Sequence, residues 1–557
     1  MDYYDPSMGY DPYFSIGDAV AGLGIFLLIP QFLKPIYTFR LRVIGIGLRT
    51  LYAVSGLGFF CVLAGSVAAQ TYAFFPAAVS HPLVWESAAG ILFGLAYGVL
   101  GWLYMFPPHA SQRSIDKYVR AGAIFLAGAT EEDRVEFAPD IVGNINKLIR
   151  IADMTGASEP PSAMPEPGEK KSGPEGFAAS SEAFLRVLSD PVFCKTLVER
   201  VPWDGARILK AFARAKPRAP VGQPFVRQIA RNSLLYAEAG SAKAVDWHRF
   251  TDAPALADAA FGNAYLNRHY LPWESFAPSD FGRIDTDFME RIQRAAQLTI
   301  DEQIASGFGY QSYNIAGMQE NFEVLSRRVA ALKPEEGDVA LYAGMLGRIV
   351  KYIVDAARKY CRDAPPEATR ALYADPAGGR DSTTFNSLAE LVVSVLENTS
   401  NRFSGYDDRF WPMARDIWDS VLPRFGNLPA GMDPLQQRIV LKLIEKTNEN
   451  MEGWYSPLPR QALAVIGPYA AKGETKERTA FKICRDLFYR ELKEFPAFHD
   501  KDPERAKTFL PGNVRYEPAT KELIHRYSFG GEDRTDLSAL EIAPVSLTAE
   551  YALFPAA

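Results

Sequence analysis

The chain has 557 residues with 60 basic and 66 acidic side chains, a net charge of -6, and 48% hydrophobic residues. That length exceeds what one core usually supports, so at least two structural units are expected, and the acidic balance argues against a protein devoted wholly to nucleic acid. Cys61, Cys194, Cys361 and Cys484 lie far apart, a spacing that supports neither a disulfide framework nor a zinc cluster and fits a reducing compartment.

The mean hydropathy of -0.10 averages over two different regions, because residues 19–106 hold nearly all the long uncharged runs. The first run, residues 19–33, lies between Asp18 and Lys34 with Pro30 near its end. It is short of the ~20 residues a helix needs to span a bilayer, so it crosses obliquely or turns back. A signal peptide is not expected, since residues 1–11 carry acidic groups and no basic one. The second run, residues 51–75, and the third, residues 87–106, are each long enough to cross. Tyr52 and Tyr72 flank one, and Trp85 and Trp102 the other, as amphipathic rings do at headgroup depth.

Inside the third run, Gly90, Gly94 and Gly98 recur every four residues and leave one side of the helix as bare backbone. Lipid gives helices no hydrophobic reason to associate, so close backbone approach is what such a face offers. It receives either the second helix of the same chain, whose small residues Cys61, Gly65, Ala68 and Ala69 form a matching surface, or another copy in a homo-oligomer. Lys34, Arg40, Arg42 and Arg49 crowd the connection before the second run, whereas residues 76–86 contain no Lys or Arg. The basic loop is therefore expected on the cytoplasmic side of a multi-pass inner (plasma) membrane protein. Arg113, Lys117 and Arg120 put the rest of the chain there too.

Residues 115–126 and 141–151 read as two short helices of an adaptor over 111–154. Residues 155–181, with Pro160, Pro161, Pro165, Pro167 and Pro174 among Gly, Ser, Glu and Lys, cannot bury a core and mark a linker and domain boundary. The remainder, 182–557, is expected to be mainly helical. Asp338 caps a helix carrying Leu341, Met345, Ile349, Tyr352 and Ile353 that stops before Pro365 and Pro366. Asp433 and Pro434 open another, with Leu435, Ile439, Val440, Leu443 and Ile444 on one face. A third runs over 287–306, with Phe288, Ile292, Ala295 and Ala296 inward and Gly307 as its stop. Residues 261–288 are rich in aromatics and irregular, and strand evidence is confined to a hairpin over 513–529.

The strongest charge feature is a helix read as capped by Asp204. Arg207, Lys210 and Arg214 share one of its faces, Lys216 and Arg218 follow, and Ile208, Leu209 and Phe212 occupy the other face. Arg227 and Arg231 are candidates to extend the stripe. It is either a solvated surface or a site for an anionic partner, lipid headgroups or a nucleic acid backbone. His248, His269 and the pair His499-Asp500 lack further ligands at metal spacing. Asp486, Glu491 and Lys493 have the residue types of a nuclease core but helical patterning, and Gly307-Phe-Gly309 lacks the context of a nucleotide loop.

The expectation is a mainly α protein with a membrane bundle of two or three transmembrane helices over 1–110, joined to a large helical cytoplasmic domain. No cofactor and no metal are assigned. The leading functional reading is a non-enzymatic assembly in membrane lipids in which the cytoplasmic domain senses or binds a partner and the bundle responds, as a channel or effector. The alternatives are a membrane-anchored enzyme acting on nucleic acid or a nucleotide, and a scaffold for partner proteins.

Overall fold

The computed structural model describes residues 34–70, 82–112, 114–155, 174–236, 256–282, 284–307, 312–332, 338–365, 384–403, 495–510, 514–529 and 532–539. It also describes residues 17, 20, 24, 418, 421, 435, 436, 438, 439, 442, 443 and 446. The chain is mainly helical and divides into two compact units, one of residues 1–229 and 238–245, the other of 230–237 and 246–557.

In the first unit, α1 (Pro35–Ile44) opens with proline, whose fixed φ suits a first turn, and ends at Gly45 with φ 78°. Ile36, Phe39, Leu41 and Val43 are buried. After an 89° bend the chain enters α2 (Leu48–Gln70), which pairs with α3 (Pro82–Met105). The two helices run antiparallel. Leu51 meets Ala96 and Leu103 at one end of the hairpin, while Cys61 and Val62 meet Ala89 toward the other. Gly58 admits the Phe93 ring, since a Cβ there would stand 3.3 Å from it.

Then come α4 (Ile115–Gly128), α5 (Glu131–Ala152), α6 (Pro174–Val187), α7 (Pro191–Glu199), α8 (Pro202–Ala215) and α9 (Gln223–Leu235), the last shared with the second unit. A run of edge-to-face and tilted ring contacts forms the core: Phe39 against Tyr118, Phe125 and Phe137, Tyr118 against Phe184, and Phe137 against Phe193, which stacks on Phe225. α1 is thus part of the helical core, not a loop between membrane segments.

Several expectations change here. The second adaptor helix begins at Glu131, ten residues before the expected 141, because Thr130 and Asp133 form a reciprocal capping box and Pro139 is accommodated inside the helix. The expected boundary at 155–181 falls within the first unit. α6 begins at Pro174, the Ser181 hydroxyl donates to the Leu148 carbonyl, and a Cβ at Gly122 would fall 2.6 Å from the Phe184 ring. The division between units lies instead around 230–246. In α8 the cap position belongs to Val201, with Pro202 in the first turn, and Asp204 lies inside the helix. Residues 19–33 lie almost wholly outside the described residues, as do Asp433, Asp486, Glu491, Lys493, His248 and Cys484.

The second unit contains α10 (Leu256–Phe261), α11 (Ala264–His269), α12 (Thr286–Ser306), α13 (Tyr313–Ala331), α14 (Val339–Asp363), α15 (Thr384–Phe403), α16 (Phe495–Lys501) and α17 (Pro503–Phe509). Asp338 caps α14 through the Leu341 N–H, and the helix stops before Pro365. Asp285 caps α12, which ends at Gly307 with φ 84° and buries Phe288, Ile292, Ala295 and Ala296. Leu435, Ile439 and Leu443 are fully buried. The aromatic segment belongs to the core: Tyr270 and Trp273 are fully buried, and the Trp273 indole N–H donates to Thr299 Oγ1 at 2.9 Å. The expected hairpin gains a third strand, giving an antiparallel sheet β1 (Val514–Glu517), β2 (Glu522–Phe529) and β3 (Glu532–Ala539), with Val514 opposite His525 and Glu522 opposite Ala539.

Candidate membrane interface

α3 has two unlike faces. Ala89, Ala96 and Leu103 are buried against α2, with Leu92, Phe93, Val99 and Leu100 packed around them. On the opposite side Ile91, Leu95 and Trp102 are 63%, 58% and 61% exposed, and a Cβ built at Gly94 or Gly98 meets no atom within 4 Å. Those two glycines therefore do not receive the second helix of the same chain. On α2, Leu57 and Phe60 are exposed as well. Leu83–Leu103 is the one described helix that by itself is long and apolar enough to cross a membrane, and only 17% of that stretch is buried. Arg49–Gly65 reaches such a length only together with Pro35–Ile44, from which it is bent. The helix thus points to membrane association.

The root of the hairpin is a polar node. Arg40 donates Nε and one terminal nitrogen to the Asp140 carboxylate at 2.9 and 2.8 Å, and its other terminal nitrogen to the Leu103 carbonyl at 2.8 Å. A bidentate guanidinium fork suits this geometry, and α1, α3 and α5 are joined by one side chain. Asn144, one turn further along α5, accepts from the Ala110 N–H and donates to the Pro108 carbonyl and to the Tyr118 hydroxyl. Burial pushes the Asp140 carboxyl above its ordinary range, against the opposing pull of Arg40. Burial also raises the Tyr118 phenol, which stays protonated and donates to the Asp140 carbonyl. Lys34 is paired with Glu136. Of the four cations expected to set topology, Lys34 and Arg40 are thus consumed by partners on α5, while Arg42 and Arg49 are exposed.

Arg207, Lys210, Arg214, Lys216 and Arg218 are all exposed, opposite the buried Ile208, Leu209 and Phe212 of α8. Arg207 has Asp204 at 3.6 Å. The backbone N–H of Arg218 donates to the Asp153 carboxylate, which docks the segment after α8 on the end of α5. Arg231 does not extend the stripe, being bound to Asp280 in the second unit. His499 and Asp500 stand 3.8 Å apart on α16. Among the described residues no group of three or more His, Cys, Asp or Glu side chains is placed to hold a metal ion.

Compared with protein families, curated proteins and solved structures, the chain has no significant match in any of the three.

Proposed function

We propose that the chain is an integral membrane protein whose α2–α3 hairpin crosses the bilayer and self-associates through the face of α3 that carries Gly90, Gly94 and Gly98. The helical units lie on the cytoplasmic side, bind a partner there, and pass that event to the hairpin as a membrane effector. The observation that carries this reading is the division of α3 into a packed face and a bare one. In water the bare face would be an unusually large apolar patch, whereas in lipid it is ordinary and its glycines let another backbone come close. The exposed Arg42, Arg49, Lys117 and Arg120 near one end of the hairpin support the cytoplasmic orientation. The exposed cations of α8 support an anionic partner.

The test is the oligomeric state of the full-length protein in lipid nanodiscs, read by native mass spectrometry, beside Gly94→Leu. A defined oligomer that falls to monomer on substitution supports the reading, and conductance across a planar bilayer then separates a pore from an assembly that only clusters its helical units. A monomer indifferent to the change overturns self-association. Recovery of the protein in the soluble fraction without detergent overturns the membrane assignment itself.

A further inference from the structure

Three exposed cations lie at the turn that joins α1 to α2, two on its flanking helix turns and one reaching it from α4. Arg42 lies in the last turn of α1, Arg49 in the first turn of α2, and both are exposed. Lys117 reaches across from α4, so that a Cβ built at Gly45 would fall 2.8 Å from its ammonium. Gly45, Gly47 and Thr50 between them are exposed. Lys34 and Arg40, a few residues earlier, have carboxylate partners, but among the described residues none is paired with Arg42, Arg49 or Lys117. A cation at the end of α1 is favoured by the helix dipole, yet Arg49 sits at the positive end of α2, where the dipole opposes it. Among the described residues, like charges thus gather without a carboxylate partner, at a turn whose two glycines leave the backbone accessible.

The depth of this cluster indicates its occupant. Arg49 is two residues from Leu51, which shares a core cluster with Leu103, and beside Leu103 the exposed Trp102 ring meets Phe106 in a tilted contact, centroids 4.5 Å apart. Indole rings settle at headgroup level, so the cations stand where lipid phosphates do. We propose that Arg42, Arg49 and Lys117, with the Gly45–Gly47 turn, form a binding site for the phosphate of an anionic lipid headgroup. Two guanidinium forks and an ammonium supply charge-assisted donors to phosphate oxygens, and the Thr50 hydroxyl lies 3.9 Å from where a Cβ at Gly47 would stand. This inference rests on the membrane reading above and adds a ligand to it.

Full-length protein in neutral detergent is titrated with short-chain phosphatidylglycerol, phosphatidylcholine and inorganic phosphate, with bound lipid counted by native mass spectrometry. Phosphatidylglycerol is expected to bind in preference to phosphatidylcholine. Combined Arg42→Gln, Arg49→Gln and Lys117→Gln changes should weaken it roughly 100-fold, about a factor of five for each cation. A variant with Arg150→Gln, Lys351→Gln and Lys359→Gln loses the same charge at exposed positions of α5 and α14 and should retain binding. Equal losses in the two variants would mean nonspecific attraction and overturn the site. Displacement by inorganic phosphate at equal concentration would overturn lipid as the occupant. Circular dichroism spectra matching the parent protein are required of both variants. If alkaline extraction shows the protein is not embedded, the membrane reading fails and the lipid site with it; an embedded protein indifferent to the first variant overturns the site alone.

Discussion

Replacing Arg40 with Gln strips the guanidinium from an Asp140 carboxylate that is 1% exposed and leaves the Leu103 carbonyl without that donor. Breaking a buried pair from one side costs ~3–5 kcal/mol, since a charge is left without compensation. The effect should depend on pH with a definite sign. The folded-state pKa of Asp140 already lies above the ordinary aspartate value of 3.8, with burial the main cause, and Arg40→Gln should raise it further. Below 3.8 the carboxyl is neutral in both folded and unfolded chains and the variant carries little charge penalty. As pH rises past the parent's folded pKa, its Asp140 ionises beside Arg40 while that of the variant still resists, so the stability deficit against the parent protein should widen until the variant's higher pKa is passed. Denaturant melts from acid to neutral pH check this, and a deficit constant with pH would contradict it. Sequence reading counted Arg40 among the charges that orient a membrane protein. Its partner is 100 residues away, and no local pattern marks one Asp of α5 as the buried one.

At the scale of elements, the close approach of α4 to α6 turns on Gly122. A methyl group there would meet the Phe184 ring at 2.6 Å, and that ring is itself held against Tyr118, so it has little freedom to retreat. Gly122→Ala should therefore destabilise the first unit by ~1–3 kcal/mol despite the better helix propensity of alanine, as a thermal melt would show. Caps and periodicity were legible in the sequence: Asp338 before α14, Gly307 after α12, and the buried Leu435, Ile439 and Leu443 all follow from spacing. Proline misled at one place: Pro174 was read as linker and opens α6, an outcome that depends on tertiary packing that outweighs local composition. The basic stripe of α8 was legible because an amphipathic pattern fixes which side is exposed, but the extent of that surface was not, since Arg231 is bound to Asp280. The root node was not legible at all, because it assembles residues from α1, α3, α4 and α5.

For the whole molecule, the proposed orientation makes a labelling prediction. In a background with Cys361 and Cys484 replaced by serine, a single cysteine at the exposed Lys147 should react with a membrane-impermeant maleimide in inside-out vesicles and not in intact cells. Labelling of intact cells would reverse the topology. Cys61 and Cys194 are buried and should stay silent. The division into two units shows what composition alone could not: the helices α5 and α6, before and after the proline-rich stretch, belong to one unit, and the boundary falls elsewhere. The Arg40 node also has a mechanical meaning. A leash of loop residues would let the hairpin spin and tilt independently of the helices beyond it. Here three hydrogen bonds from one planar group clamp α1, α3 and α5 together, and Asn144 fastens the next stretch of chain. The joint resists twisting, so a tilt of the hairpin is delivered to α5 as torque, with no slack to absorb it.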